Sequence, residues 1–327
     1  MILVAGGAGY IGSHLCRALQ EANEPFVVLD NLSSGHREAV AGATLVEADL
    51  ADRDALERVF HDHDVDLVMH FAASISVGES VRDPAKYWRN NFFGTLNLVQ
   101  AMAAAGVNRL VFSSTAAIFG EPVKLPIDED HPCSPVNPYG ATKLAVERML
   151  EAYDAGHGLR SVCLRYFNAC GAHPSGELGE DHTPEEHLIP VAIQAGLGQR
   201  GPLSVFGTDY PTPDGTCVRD YVHIADLAEA HLLAARHLRQ GGDSRRFNLG
   251  NGEGFSVRQV IHTVEEVSGR SVPHHEAPRR EGDPAQLVAS SRRIRDEWGW
   301  SPSFPELETI VEHAWRWHST HPNGYRS

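Results

Sequence analysis

Tyr139 and Lys143 stand four residues apart, directly after the loop SPVNP and at the start of a stretch with helical apolar spacing. That spacing places both side chains on one face of a helix. An ammonium beside a phenol favours the phenolate, lowering the tyrosine from its ordinary value of about 10. The pair then becomes an acid/base usable near neutrality. The chain has 8 tyrosines and its only lysines are Lys86, Lys124 and Lys143, so a chance match at this spacing is rare. Upstream, VFSSTAAIFG ends an apolar run in Ser113, Ser114 and Thr115. A hydroxyl there can share a transferred proton and hold the oxygen it comes from. Ser113 by itself reads as a loop hydrogen-bonding group.

Something must hold a reacting partner against that phenol, and the first fourteen residues, MILVAGGAGYIGSH, supply the means. Ile2 to Val4 read as a short buried strand, followed by Gly6, Gly7, Gly9 and Gly12. From Tyr10 the spacing turns helical, with Ile11, Leu15, Ala18 and Leu19 on one side. A strand, a tight glycine turn and a helix start gather free N–H groups at one point, where the helix dipole favours an anion. Read from Gly7 the spacing is G-x-G-x-x-G, a dinucleotide-binding pattern. A second apolar run, FVVLD, ends in Asp30, 18 residues beyond Gly12. A carboxylate at that distance accepts ribose hydroxyls and repels a 2′-phosphate, favouring NAD over NADP.

Further strands are expected at Thr44–Glu47, Leu67–Phe71, Arg109–Ser114 and Ser161–Tyr166. Helices are expected near Asp54–Phe60, Pro84–Ala105 and Tyr139–Ala155. This alternation implies an α/β fold, a doubly wound parallel sheet of the Rossmann kind, with ligands outside the carboxyl ends of its strands. Asp30, Asp49 with Leu50, Phe71 to Ala73, Ser113 to Thr115 and Tyr166 to Asn168 all fall on that edge. Residues 171–187 are polar and turn-rich. Helices then follow near Leu188–Gly198, Ile224–Leu238, Val257–Val267 and Phe304–His318, with an extended piece at Phe247–Leu249. The expected division is an NAD-binding domain over 1–170, with the chain returning to it near 218–240. A smaller α+β substrate domain over 171–327 closes over the cofactor edge.

The 327 residues carry a formal charge of −15, which opposes binding to nucleic acid or an anionic membrane. Cys16, Cys133, Cys163, Cys170 and Cys217 are odd in number and never paired as C-x-x-C, pointing to a reducing cytoplasm. No leader peptide is expected, since cleavage would remove the glycine turn. No apolar run is long enough to span a bilayer. No metal is expected: His61/His63 and His313/His318/His321 lack a third ligand at a sensible spacing and read as exposed helical faces.

The glycine turn, the serine-rich strand end and Tyr-x-x-x-Lys together resemble the extended short-chain dehydrogenase/reductase superfamily. Over nearly its whole length the chain resembles the UDP-glucose 4-epimerases. The specific blocks are LDNLSSGH (29–36), VGES (77–80), RYFNACGAH (165–173), YPTPDGTCVRDYVHIADLAEAH (210–231), RREGDP (279–284) and HPNGY (321–325). The resemblance implies that Tyr139 is the acid/base on the sugar 4-hydroxyl, that Lys143 binds the nicotinamide ribose, and that Thr115 is the catalytic hydroxyl. It implies NAD contacts from Gly6, Gly9, Tyr10, Ile11, Gly12, Asp30, Asn31, Asp49, Leu50, Phe71, Ala72, Ala73, Asn90 or Asn91, Ser113 and Tyr166. It gives the UDP-sugar to Asn168, His187, Leu188, Phe206, Arg219, Arg280, Asp283 and Leu287, beside Thr115 and Tyr139. Arginine suits a diphosphate because its planar fork donates two hydrogen bonds at once. The implied reaction oxidises the sugar C4 to a 4-ketose and returns hydride to the opposite face, with NAD retained throughout. A cytoplasmic homodimer, through helices near 85–105 and 139–155, is a further implication.

Some positions depart from the family pattern. Ile75 stands where some members have a lysine, and Ala117 and Phe119 stand where Thr and Tyr are frequent. Leu287 replaces a bulky tyrosine that restricts some relatives to non-acetylated sugars, so room for an N-acetyl group is expected. The competing readings are a 4-epimerase of UDP-glucuronate or UDP-xylose, a sugar-nucleotide 4,6-dehydratase or decarboxylase, and an NAD-sensing regulator. Ala116 and Ala117 fill the places where a dehydratase carries its Asp–Glu pair, which disfavours elimination.

Overall fold

The computed structural model describes residues 1–280 and 282–326. β1 (Ile2–Ala5) is buried at every residue and leads through the glycine turn into α1 (Tyr10–Glu21). Then come β2 (Phe26–Asp30), β3 (Leu45–Glu47), α2 (Arg53–Asp62) and β4 (Leu67–His70). Short helices α3 (Val77–Arg82) and α4 (Pro84–Tyr87) precede α5 (Gly94–Ala104). They are followed by β5 (Arg109–Thr115), α6 (Pro138–His157) and β6 (Arg160–Tyr166).

The chain divides into two units. The first holds Met1–Gly120, Pro132–Tyr166 and Ala228–Phe247; the second holds Glu121–His131, Phe167–Leu227 and the residues from Asn248 onward. In the first, a seven-stranded sheet runs β11-β6-β5-β4-β1-β2-β3, where β11 is Arg245–Leu249. The pairings among β1 to β6 are parallel. Strand order reverses beside β1, so the turns after β1 and β4 leave the sheet in opposite directions and open a crevice there. Leu3, Val27, Val68, Leu110, Leu98, Met102 and Val146 are wholly buried and join strands to helices in one core.

Local chemistry sets the helix ends. Asn137 accepts a hydrogen bond from the Gly140 amide at 2.8 Å and Pro138 opens α6, which Gly158 closes in the left-handed region. The continuous helix expected over Pro84–Ala105 is instead broken: Trp88–Phe93 between α4 and α5 is π-helical. The wider turn brings Asn91 inward, 2% exposed, where its amide accepts from Ser74 N at 2.8 Å and donates to Ser74 O at 3.0 Å. Such single π turns are frequent where a side chain has a positioning task.

The second unit has its own core around Ile189, Ile193, Val205, Val260, Val264, Ile310 and Val311. It contains β7 (Asn168–Cys170), α7 (Leu188–Gly196), β8 (Leu203–Phe206), β9 (Val218–Arg219) and β10 (Tyr221–His223). The helix α8 (Ile224–Arg239) begins there and continues in the first unit. After β11 follow β12 (Phe255–Ser256), α9 (Val257–Ser268), β13 (His274–Ala277), β14 (Gln286–Leu287), α10 (Arg292–Trp298) and α11 (Leu307–Thr320). Its strands form small pieces: β7 with β10, β8 with β13, and β9 between β12 and β14. Most of these strands have two to four residues, too short for alternation to announce them. His313 and His318 are not on an exposed face as expected; both are buried, and His313 Nδ1 lies 3.0 Å from His223 Nε2. Among the described residues no helix is long and apolar enough to cross a membrane, and the five cysteines are free.

Candidate active site

Backbone approach dominates the glycine turn. Gly6 has φ +79° and its α-carbon faces Ala72, where an added Cβ would lie 2.3 Å from the Ala72 nitrogen. At Gly12 a Cβ would lie 2.2 Å from the Gly6 carbonyl oxygen, so α1 packs directly on the turn. Gly9 caps α1 with no side-chain hydrogen bond, which leaves the first amides of the helix available to an anion. Tyr10 and Ile11 begin the helix half-buried. Asp30, at the end of β2, accepts from Ala8 N at 2.9 Å and Leu32 N at 2.8 Å. Burial raises its carboxyl above the ordinary value, and these amides partly offset that. Asn31 donates to Asp49 Oδ2 at 2.6 Å. Leu50 sits in the core of this unit.

At the end of β5, Thr115 accepts from Ala117 N at 3.1 Å and caps the turn Ala116–Ile118. Gly140 lets α6 start against that turn: a Cβ there would lie 2.3 Å from the Ala117 carbonyl oxygen. The result brings half-buried Tyr139 to Thr115, whose hydrogen bond pulls the phenol down while desolvation, the larger effect, raises it. Lys143 is buried; its Nζ donates to the Ser113 carbonyl at 2.8 Å and lies 4.9 Å from the centre of the Phe112 ring. Burial lowers it to about 7. This corrects the expectation that its ammonium acidifies the phenol. In the protein alone the lysine is turned to the strand and burial drives both groups toward their neutral forms.

One turn beyond Lys143, Glu147 accepts from Ser114 Oγ at 2.6 Å and from Arg165 Nε and Nη2 at 3.0 and 2.6 Å. All three side chains are buried. They tie α6 to β5 and β6, fixing the helix that carries Tyr139. Phe119 is fully buried with the Arg165 guanidinium 5.4 Å from its ring, so it belongs to this support. Neutral His70, held by burial at about 3, bonds Thr95 Oγ1 at 2.7 Å. His231 of α8 packs 4.8 Å from Phe71 and 5.8 Å from Tyr166 between ring centres. Asn90 donates to Ser74 Oγ at 3.1 Å.

In the second unit Asn168 donates through Nδ2 to the Asp220 carbonyl at 2.8 Å. Arg219 donates to the Val218 carbonyl at 2.7 Å and pairs with Asp283. The Arg280 guanidinium lies 4.0 Å above the Phe206 ring. Leu287 is half-buried in β14, whose register sets it against Arg219. Leu188 opens α7, while His187 turns its Nδ1 to Glu180 at 2.5 Å.

Residues 2–250 match the family described as NAD dependent epimerase/dehydratase. A UDP-glucose 4-epimerase of Halalkalibacterium halodurans is 53% identical over 99% of this chain and 97% of its own length. The chain belongs to the NAD-dependent epimerase/dehydratase family. A crystal structure of a UDP-glucose 4-epimerase superposes with a TM-score of 0.98 at 48% identity, over 100% of this chain and 99% of that one. A UDP-glucose 4-epimerase from Bifidobacterium longum, solved with NAD+ and UDP, gives 0.93 at 36% identity over 99% of both chains.

For this member of the family, the glycine cradle fits the cofactor. A side chain at Gly6 or Gly12 would collide with backbone, so the turn keeps its amides clear for a pyrophosphate. The enzyme is NAD-dependent and acts on UDP-sugars, like its UDP-glucose 4-epimerase relatives. Sequence reasoning missed Glu147, Arg165, Gly140 and His231. An acid four residues after Lys143 on the same helical face was the available signal for Glu147.

Proposed function

We propose that this epimerase interconverts UDP-galactose and UDP-glucose, and that Tyr139, Lys143 and Thr115 are its working groups. The observation that carries the reading is the meeting of Tyr139 with Thr115 at the end of β5, with Lys143 held on Ser113 by the same helix. NAD, when bound, supplies the hydride acceptor and donor for the sugar C4. Tyr139, in its phenolate form, would take the 4-hydroxyl proton as C4 is oxidised and return it after the 4-keto sugar has turned over. Thr115 holds the same oxygen, stabilising charge that develops on it. Lys143, at about 7, has a proton to share near neutrality and positions the ribose beside Ser113.

Gly6, Gly9, Tyr10, Ile11, Gly12, Asp30 and Asn31 are the proposed dinucleotide contacts, with Asn91 steadying the loop after β4 through Ser74. In the second unit Asn168, Arg219 and Arg280 are proposed for the UDP. Asp283 orients the Arg219 fork and Phe206 supports that of Arg280. Binding energy from the non-reacting nucleotide retains the intermediate while its sugar rotates. Ala116 and Ala117 leave no acid pair for elimination, which favours epimerisation over dehydration.

The test is to incubate purified protein with UDP-galactose, without added cofactor, and look for UDP-glucose. Tyr139→Phe is expected to lose most turnover and keep its nucleotide; full activity in that variant removes the assignment of the base. A cytoplasmic homodimer through the helices near 85–105 and 139–155 is part of the same proposal; its interface is supported by Trp88 and Phe93 in the first stretch, which remain 38% and 54% exposed. Light scattering that gives a monomer mass refutes it.

A further inference from the structure

Between β7 and α7 the second unit carries Glu-x-His-x-x-Glu-x-His, formed by Glu180, His182, Glu185 and His187. One ligand atom from each of the four lies within 4.8 Å of the other three. Both imidazoles aim Nδ1 at one oxygen: His182 stands 3.0 Å and His187 2.5 Å from Glu180 Oε1. Glu185 completes the set, its carboxylate oxygens 3.7 Å from His182 Nδ1 and 3.4 Å from His187 Nδ1. The glutamate side chains are 2% and 4% exposed. Two carboxylates are thus buried together, and these two imidazoles pair with them directly, with His318 close enough to feel both charges.

Two buried negative charges require two positive ones nearby. Protons on both histidines would meet that need only by crowding two imidazolium rings, 5.4 Å between centres, onto one carboxylate. A single divalent ion meets it with both rings neutral. Tetrahedral coordination at about 2.0–2.1 Å places ligand atoms about 3.4 Å apart, close to the separations found here. Two nitrogens with two oxygens suit zinc and its transition-metal neighbours, and exclude the all-oxygen preference of calcium and magnesium.

The surroundings hold this cluster in place and leave it accessible. The Trp317 indole donates to the Glu180 carbonyl at 3.1 Å, Tyr325 Oη accepts from Gly179 N at 3.1 Å, and Asp181 Oδ2 accepts from Tyr325 N at 3.0 Å. A polar cavity of about 220 Å³, lined by Glu180, His182, His318, His321 and Asn323 among others, gives an ion a route in.

We propose that Glu180, His182, Glu185 and His187 bind one divalent transition-metal ion, with zinc the expected occupant, clasping the segment that leads into α7. The site lies within one unit and does not depend on the reading of the catalytic groups.

The experiment uses full-length protein without a histidine tag, stripped with a chelator and titrated with zinc against a chromophoric competitor. One equivalent per chain is expected, with a rise in unfolding temperature. Removing outer-sphere partners of a metal ligand weakens binding by about tenfold to a hundredfold. His182→Ala and Glu185→Gln, which remove ligands, are expected to lose at least that much. Cobalt added to the wild-type protein should give the visible absorption of a tetrahedral centre, bleached by zinc, which serves even if a variant fails to fold. Absence of stoichiometric zinc uptake and of that spectrum in the wild type overturns the proposal, as does unchanged uptake in folded variants.

Discussion

Lys143 Nζ donates to the main-chain oxygen of Ser113 at 2.8 Å, so the single buried lysine of α6 is anchored to β5. The carbonyl offers one acceptor, and the Phe112 ring 4.9 Å away adds its negative face. Neither replaces the water that an ammonium loses, which is why burial brings this group down to about 7.

Stability should carry the signature of that lysine. Its folded value lies below its unfolded one, so the folded chain binds fewer protons between the two, and stability rises with pH across that window. Thermal unfolding between about pH 7 and 9 should show wild type gaining on Lys143→Met, by at most about 1.4 kcal/mol per pH unit. Parallel curves for the two proteins would contradict the burial of a charged-when-unfolded amine.

Thr115 is the group that pulls Tyr139 down against desolvation. Thr115→Val removes that hydrogen bond, worth about 1.5–3 kcal/mol when one partner is charged. The phenol should rise, and the acidic limb of kcat/KM should move up by about one to two pH units. A limb that stays in place would assign the titration to another group.

The Glu147–Arg165 pair should behave as a buried ion pair. Glu147→Gln leaves Arg165 under-compensated and is expected to cost about 3–5 kcal/mol in unfolding free energy. Replacing both partners with apolar residues of similar volume should restore much of the loss. A double-mutant cycle in chemical denaturation measures this directly, and additive losses would show that the two side chains act separately.

Leu287 is proposed to leave space that a tyrosine would fill. Wild type is expected to turn over UDP-N-acetylgalactosamine at a rate comparable to UDP-galactose, and Leu287→Tyr to lose the acetylated substrate selectively. No detectable turnover of the acetylated sugar by wild type would refute the specificity assigned to this position.

The sequence made the first unit readable because its elements are long and its punctuation is chemical. Glycines at 6, 7, 9 and 12 and the acid at 30 mark a turn whose backbone must come close to a ligand, and β1, β2, β5 and β6 were legible as apolar runs. The π turn at Trp88–Phe93 was not, because Asn91 reaches Ser74 through a tertiary contact that no local spacing records. Tyr139 and Lys143 were placed correctly on α6, yet spacing suggested that they act on each other. The choice of Ser113 as the lysine's partner depends on β5, which lies far away in sequence. As metal ligands the sequence draws attention to the histidines at 61/63 and 313/318/321, whereas Glu180 to His187 lies in a polar stretch that reads as a plain loop, with His187 given to the UDP-sugar by resemblance.

One outer strand of the large sheet, β11 at Arg245–Leu249, is separated from its neighbour β6 by residues 167–244, which include Phe167–Leu227 of the second unit. During synthesis, β1 to β6 therefore emerge from the ribosome with one margin of backbone donors and acceptors unpaired, and that margin stays open until residue 249 has followed. An open border of this kind invites pairing with other chains. Nascent molecules arrested before that point should be the ones that chaperones capture.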